Sequence, residues 1–148
     1  MAIVKKDSTK PKQTFIEKNI KIKGNFEGTG TIQIEGNIIG DINVDSVVIG
    51  EGGSVTGNIT SKSVIINGKH TGNICCNSLD ILPQGQLINH QINVNSIFIR
   101  GSVKGNIIAS ESLEIDVQGS IEGDITFGKI KINEGGKITG MLKEYLKK

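Results

Sequence analysis

The chain has 148 residues, no Trp, one Tyr, four Phe and a formal net charge of +2, which suffices for one domain but supplies too few rings for an aromatic-rich globular core. Glycine contributes 20 residues, above the usual share of about 7%, and Ile and Val, both strand formers, dominate the apolar set. No stretch nears the roughly 18 apolar residues that cross a bilayer, the N-terminus lacks the apolar core of a secretory signal, and the adjacent Cys75 and Cys76 give no disulfide framework, so a reducing cytoplasm is the expected compartment.

Residues 1–13 read as a flexible basic tail in which Lys5, Lys6, Lys10 and Lys12 follow no periodicity. The tip, Met1-Ala2-Ile3-Val4-Lys5-Lys6, joins a short apolar run to lysines. Ile3 and Val4 are placed to insert shallowly in a lipid surface while Lys5 and Lys6 meet anionic headgroups, at about 1 kcal/mol per lysine.

From residue 14 to 142 a repeat takes over. Gly-(Asn/Asp)-Ile recurs as Gly40-Asp41-Ile42, Gly57-Asn58-Ile59, Gly72-Asn73-Ile74, Gly105-Asn106-Ile107 and Gly123-Asp124-Ile125. Degenerate copies stand at Gly24-Asn25-Phe26 and Gly140-Met141-Leu142, and His90 takes the place of glycine before Gln91-Ile92. The steps between these anchors are 16, 17, 15, 18, 15, 18 and 17 residues, a period expected of coils in a β-solenoid, where each coil buries its face against its neighbours.

Within a coil, apolar residues fall two, four, seven, nine and about fifteen positions after the glycine, as in Ile42, Val44, Val47, Ile49 and Val55. Spacing by two is strand alternation, so each coil should hold two clear strands and a weaker third, bent into a triangle. Length changes concentrate between the ninth position and the next glycine, at one corner; the coil after Gly105 departs, with Leu113 and Ile115 one residue late. The expected fold is an all-β, single-stranded parallel β-helix of about seven short triangular coils, roughly 35 Å long at about 4.8 Å per coil. The Asn/Asp column is expected to serve its own corner, through left-handed backbone and bonds to its own main chain. Residues 143–148 form a short basic C-terminal tail.

Charge is unevenly spread. Residues 1–23 hold seven Lys and two acids and residues 129–148 six Lys and two acids, whereas residues 24–128 hold four Lys/Arg and eleven Asp/Glu. An acidic body with basic ends is the reverse of the basic, aromatic-lined body of a nucleic-acid binder, so no nucleic-acid partner is expected.

The residues that most resemble chemistry are explained by the repeat. Gly123 to Lys129 matches GxxxxGK, but Ile130 stands where a phosphate-binding loop needs a hydroxyl, and no helix follows. Alternation turns Cys76 inward and Cys75 outward, and no second pair completes a zinc site. His70 sits at an inward position matching Val55 and Ile121, and neither His70 nor His90 has an acid at a repeatable spacing. No catalytic, metal, nucleotide or cofactor site is assigned, and the chain is not expected to be an enzyme.

A β-helix exposes an apolar cross-section and unpaired strand edges at each end, which soluble solenoids normally cap. The sequence shows no obvious cap, so the ends should stack on other copies of the chain. The N-terminal surface would comprise Phe15, Ile16, Ile20, Ile22 and Phe26, and the C-terminal surface Phe127, Ile130, Ile132, Ile138 and Leu142.

The run Thr14-Phe15-Ile16, then Ile20-Lys21-Ile22-Lys23-Gly24 and Ile32-Gln33-Ile34-Glu35-Gly36-Asn37-Ile38, followed by the Gly-(Asn/Asp)-Ile coils, resembles the bactofilins, bacterial polymer-forming cytoskeletal proteins. The resemblance implies a right-handed helix that stacks end to end into nucleotide-independent, non-polar filaments. It also implies contact with the inner face of the cell membrane through the N-terminal segment, and clients among cell-wall or morphogenesis proteins. Two other readings fit a solenoid. A β-helix acyltransferase would want a long inserted loop and a catalytic His, and the longest insertion here is one or two residues; a surface-binding solenoid such as an ice binder would want a Thr-x-Thr face, which is absent.

Overall fold

Alternation of inward Ile and Val with outward polar residues lets each strand bury one side, and in parallel register each inward residue meets its counterpart in the next coil. A computed structural model describes residues 13–145, where every regular element is a strand. The strands pair in parallel into three stacked faces.

The first face is built from Gln13–Ile16, Thr31–Ile34, Ser46–Ile49, Ser63–Ile66, Ser78–Ile81 and the segments 96–99, 112–115 and 129–132. The second stacks Lys21–Lys23, Asn37–Ile39, Ser54–Thr56, Lys69–Thr71, 86–88, 102–104, Ser120–Glu122 and Lys137–Thr139. The third stacks Phe26–Glu27, Ile42–Asn43, Ile59–Thr60, Ile74–Cys75, 91–94, 106–109, 125–127 and Leu142–Glu144. Three strands per turn and eight turns give a triangular β-solenoid. Eight turns enclose the seven steps counted between the eight sequence anchors.

The core is a set of residue columns rather than a mixed interior. Ile34, Ile49, Ile66, Ile81, Ile99 and Ile115 stack in one column, all 0% exposed. Ile38, Val55, His70, Leu87, Val103 and Ile121 form a second, and Ile42, Ile59, Ile74, Ile92, Ile107 and Ile125 a third. Like-on-like stacking of β-branched side chains holds the register, because a one-residue slip would turn a whole strand inside out.

The corner between the first and second faces absorbs the length changes, as the spacing indicated. Its connections are two residues long at Glu35-Gly36, Asn67-Gly68 and Arg100-Gly101, and four long at 17–20, 50–53, 82–85, 116–119 and 133–136. The late Leu113 and Ile115 arise elsewhere: an extra residue sits between the third and first faces, where the pairing shifts between Ala109 and Ser112.

The corner between the second and third faces carries the repeat glycines, whose φ lies between +130° and +150° in Gly24, Gly40, Gly57, Gly72, Gly105, Gly123 and Gly140. A Cβ on Gly57 would collide with the Gly40 carbonyl oxygen of the preceding turn. Backbone conformation therefore disfavours side chains along this column, and close stacking adds to it at Gly40, Gly57, Gly72, Gly123 and Gly140.

The Asn/Asp column departs from expectation. Among the described residues Asn19 is the sole non-glycine with positive φ, so the column does not adopt left-handed backbone. Each side chain instead reaches the next turn: the amide N–H of Asp41 donates to Asn25 Oδ1 at 2.9 Å, that of Asn58 to Asp41 Oδ1 at 3.0 Å, and that of Asn73 to Asn58 Oδ1 at 3.2 Å. The ladder continues to Gln91 and resumes from Asn106 through Asp124 to Met141. In the fifth turn the register shifts between Ile88 and Gln91, where the next turn has Gly105 alone between Lys104 and Asn106.

Candidate assembly ends

The columns that are sealed in the middle of the rod open at its ends. Ile115 is 0% exposed, while Ile132, its partner in the last turn, is 47% exposed. Ile125 is 0% and Leu142 above it 43% exposed. Ile130 and Ile138, in register with Leu113 and Ile121, are half-buried. These four residues form the apolar cross-section of the C-terminal end. Phe127 lies one turn below, paired with Ala109 on one side and Glu144 on the other, and is half-buried.

At the N-terminal end Ile16, Ile22 and Phe26 continue the inner columns of Ile34, Ile38 and Ile42. Ile16 is buried, and Ile22 and Phe26 half-buried against the core. The sequence set these together with Phe15 and Ile20, which sit differently. Phe15, 56% exposed, faces outward beside Gln33, and Ile20 lies 45% exposed in the first long corner. The inward position next to Phe15 in the column pattern is Thr14, in register with Ile32. Ile3, Val4, Lys5 and Lys6 lie outside the described residues.

Backbone pairing also stops at the ends. Among the described residues, the three strands of the first turn pair with the second turn alone, and 129–132, Lys137–Thr139 and Leu142–Glu144 pair with the seventh alone. Among the described residues each end therefore leaves a row of main-chain donors and acceptors without a strand partner around an apolar centre. The Asn/Asp ladder reaches both edges, beginning at Asn25 and ending on the Met141 N–H, where no amide or carboxylate side chain continues it.

Elsewhere the surface carries little chemistry. Cys76 is 7% exposed and donates to the Ser78 carbonyl oxygen at 3.4 Å, and burial pushes its thiol up to about 12. Cys75 is exposed. His70 is 1% exposed, its Nε2 lies 2.9 Å from the Gly57 carbonyl oxygen, and burial lowers its pKa to about 4 despite that bond. A neutral, core-packed imidazole is not arranged as a general base. A shallow groove of about 430 Å³ runs past Thr60, Cys75, Asn93 and Tyr145 without grouping acid and base. Among the described residues no cluster of His, Cys, Asp and Glu is placed to hold a metal, and no helix is long and apolar enough to cross a membrane.

The family model for bactofilin, described as polymer-forming cytoskeletal, matches residues 14–90 and again 81–143. Bactofilin BacP of Myxococcus xanthus (strain DK1622) is 27% identical over 99 residues, covering 66% of this chain. The chain spans 41% of the length of that relative. No solved structure gives a significant match.

Proposed function

The chain belongs to the bactofilin family of polymer-forming cytoskeletal proteins, and from that premise we propose that its coils stack end to end into filaments needing neither nucleotide nor metal. It is a structural protein rather than an enzyme. The observation that carries the stacking is the change along single columns, from 0% at Ile115 and Ile125 to 47% at Ile132 and 43% at Leu142. A second copy restores the burial these columns have inside the rod. The assembling body in this reading runs from Gln13 to Glu144, one residue before and two after the 14–142 marked by the repeat, with the segments on either side as tails. The contact residues are Ile16, Ile22 and Phe26 at one end, flanked by Phe15 and Ile20, and Ile130, Ile132, Ile138 and Leu142 at the other, backed by Phe127.

The filament lies at the inner face of the cell membrane and organises cell-wall or cell-shape machinery. Ile3 and Val4 insert while Lys5 and Lys6 meet anionic headgroups, and repetition along a polymer makes so short an anchor sufficient. Negative-stain microscopy of protein dialysed against EDTA and treated with apyrase tests the assembly. Filaments persist on this reading, and their disappearance overturns it. Deleting residues 1–12 leaves filaments but lowers co-sedimentation with anionic liposomes; unchanged pelleting rules out the tail as anchor.

A further inference from the structure

The acidic body seen in the sequence is not acidic all round. Winding the chain brings Lys21, Lys23, Lys69, Lys104 and Lys137, drawn from turns one, four, six and eight, to the outward side of the second face, where Glu122 is the one acid. All five lysines are exposed, and the ion pairs among the described residues, Lys62 with Asp45 and Arg100 with Asp80, lie elsewhere. The outward side of the first face balances Asp80 and Glu114 with Lys129 and Lys131, and the third face and its leading corner carry Glu27, Asp41, Asp124 and Glu144 with Lys143. The corners bordering the second face carry mostly acids, among them Glu51, Glu134 and Asp41, with Lys18 and the Asp80-paired Arg100 as their basic residues.

The same strip carries two large apolar side chains that alternation alone would make polar. Ile39 is 48% and Ile88 56% exposed. In register, one outward column reads Lys23, Ile39, Thr56, Thr71, Ile88, Lys104, Glu122 and Thr139. Each exposed isoleucine is thus one turn, about 4.8 Å, from a lysine. A flat row of strands about 34 Å long, with lysines flanking short apolar tips, matches a lipid surface, where the tips enter the headgroup boundary and the ammonium groups stay at the phosphates. No aromatic residue lies on this face to stack nucleotide bases.

We propose that the second face is a lipid-binding surface that lays the rod flat on an anionic bilayer. This deepens the membrane part of the proposed function and rests on it for the kind of partner, but involves residues distinct from Ile3, Val4, Lys5 and Lys6. Flat docking sets the filament axis parallel to the membrane and fixes which faces remain for other proteins.

The chain has no Trp, so a single introduced Trp reports its own surroundings. With mixed phosphatidylcholine–phosphatidylglycerol vesicles, full-length Ile88→Trp protein should shift its emission to the blue and be quenched by brominated lipid. Thr60→Trp, on the third face, should do neither. Pure phosphatidylcholine should give no shift. Lys69→Glu with Lys104→Glu should lower vesicle partitioning about tenfold or more, since each lysine near an anionic surface is worth roughly a fivefold change. Lys5→Glu with Lys6→Glu separates the two contacts: if the tail reading fails, that pair changes nothing while the face variants still act. Unshifted, unquenched emission from Ile88→Trp protein that still pellets with vesicles overturns the face proposal and leaves the tail. Loss of duplex DNA binding in the Lys69→Glu, Lys104→Glu protein, with vesicle binding intact, overturns it in favour of a nucleic-acid surface.

Discussion

At Gly57 two constraints meet, a φ of +141° and a Cβ position that would collide with the Gly40 carbonyl oxygen. Backbone of this kind costs a side-chain-bearing residue about 1–3 kcal/mol, and the collision adds to it. Gly57→Ala should therefore lower the thermal midpoint clearly, while Gly28→Ala, with negative φ and nothing near its added Cβ, should change it little; equal melting of the two would show that the corner column is dispensable. His70 makes the second residue-scale prediction. Its folded pKa, about 4 against an ordinary 6.5, is held down by burial between Val55 and Leu87. The unfolded chain thus binds the proton more readily between those two values. Stability is full above about 6.5 and is lost as pH falls toward 4, by an amount on the order of 3 kcal/mol. Urea titrations across this range should show a slope that His70→Leu removes. A slope unchanged in the variant would place the acid sensitivity in other groups.

The strands themselves were legible because alternation is a direct imprint of burial: residues two, four, seven and nine after Gly40 are Ile42, Val44, Val47 and Ile49, and all but the half-buried Val44 lie in the core. So was the elastic corner between the first and second faces. What joins one turn to the next was less visible. The role of Asp41 depends on the N–H of Asn58, 17 residues on and 3.0 Å away, and spacing within one coil carries no record of it. The lysines of the second face are scattered from Lys21 to Lys137 and read as incidental until the winding aligns them. Of the ends, the four inner residues of the last turn were found by phase, whereas Phe127 was placed one turn too far out and Phe15 faces outward, because a sequence phase does not tell which copy of the repeat is terminal. The two corners should therefore differ in tolerance. A Gly-Ser insertion after Glu51 lengthens a connection that already varies between two and four residues, and loop lengthening of this size costs well under about 1 kcal/mol. The same insertion after Gly57 pulls Asn58 out of its bonds to Asp41 and Asn73 and should lower the midpoint of melting much further. Similar losses at both sites would contradict the division of labour between corners.

Assembly belongs to the whole rod, because the ends exist as surfaces only once eight turns are stacked. Leu142 caps the column of Ile125, and it remains 43% exposed. Fully burying such a side chain is worth about 1.5–3 kcal/mol, so a neighbouring copy recovers a sizeable part of that at this column alone. An arginine there would lose the contact and leave a charge in an apolar junction without a partner, at a cost above the contact itself. Leu142→Arg should reduce filaments to dimers or monomers that remain folded, since one turn of eight is touched. If ends pair like with like, as a two-fold contact requires, the variant stops at dimers joined through intact N-terminal ends; if they pair head to tail, it stays monomeric. The lysines of the last turn, Lys129, Lys131, Lys137 and Lys143, oppose contact between two C-terminal ends, so raised salt should lengthen filaments of the parent protein when charge limits growth. Glu51→Lys, a charge change in a corner of the third turn, should leave filaments largely intact. Sedimentation velocity together with negative-stain microscopy separates these outcomes. Long filaments from Leu142→Arg, with their loss in Glu51→Lys, would mean that the copies meet along their sides and that the open ends are not the joints.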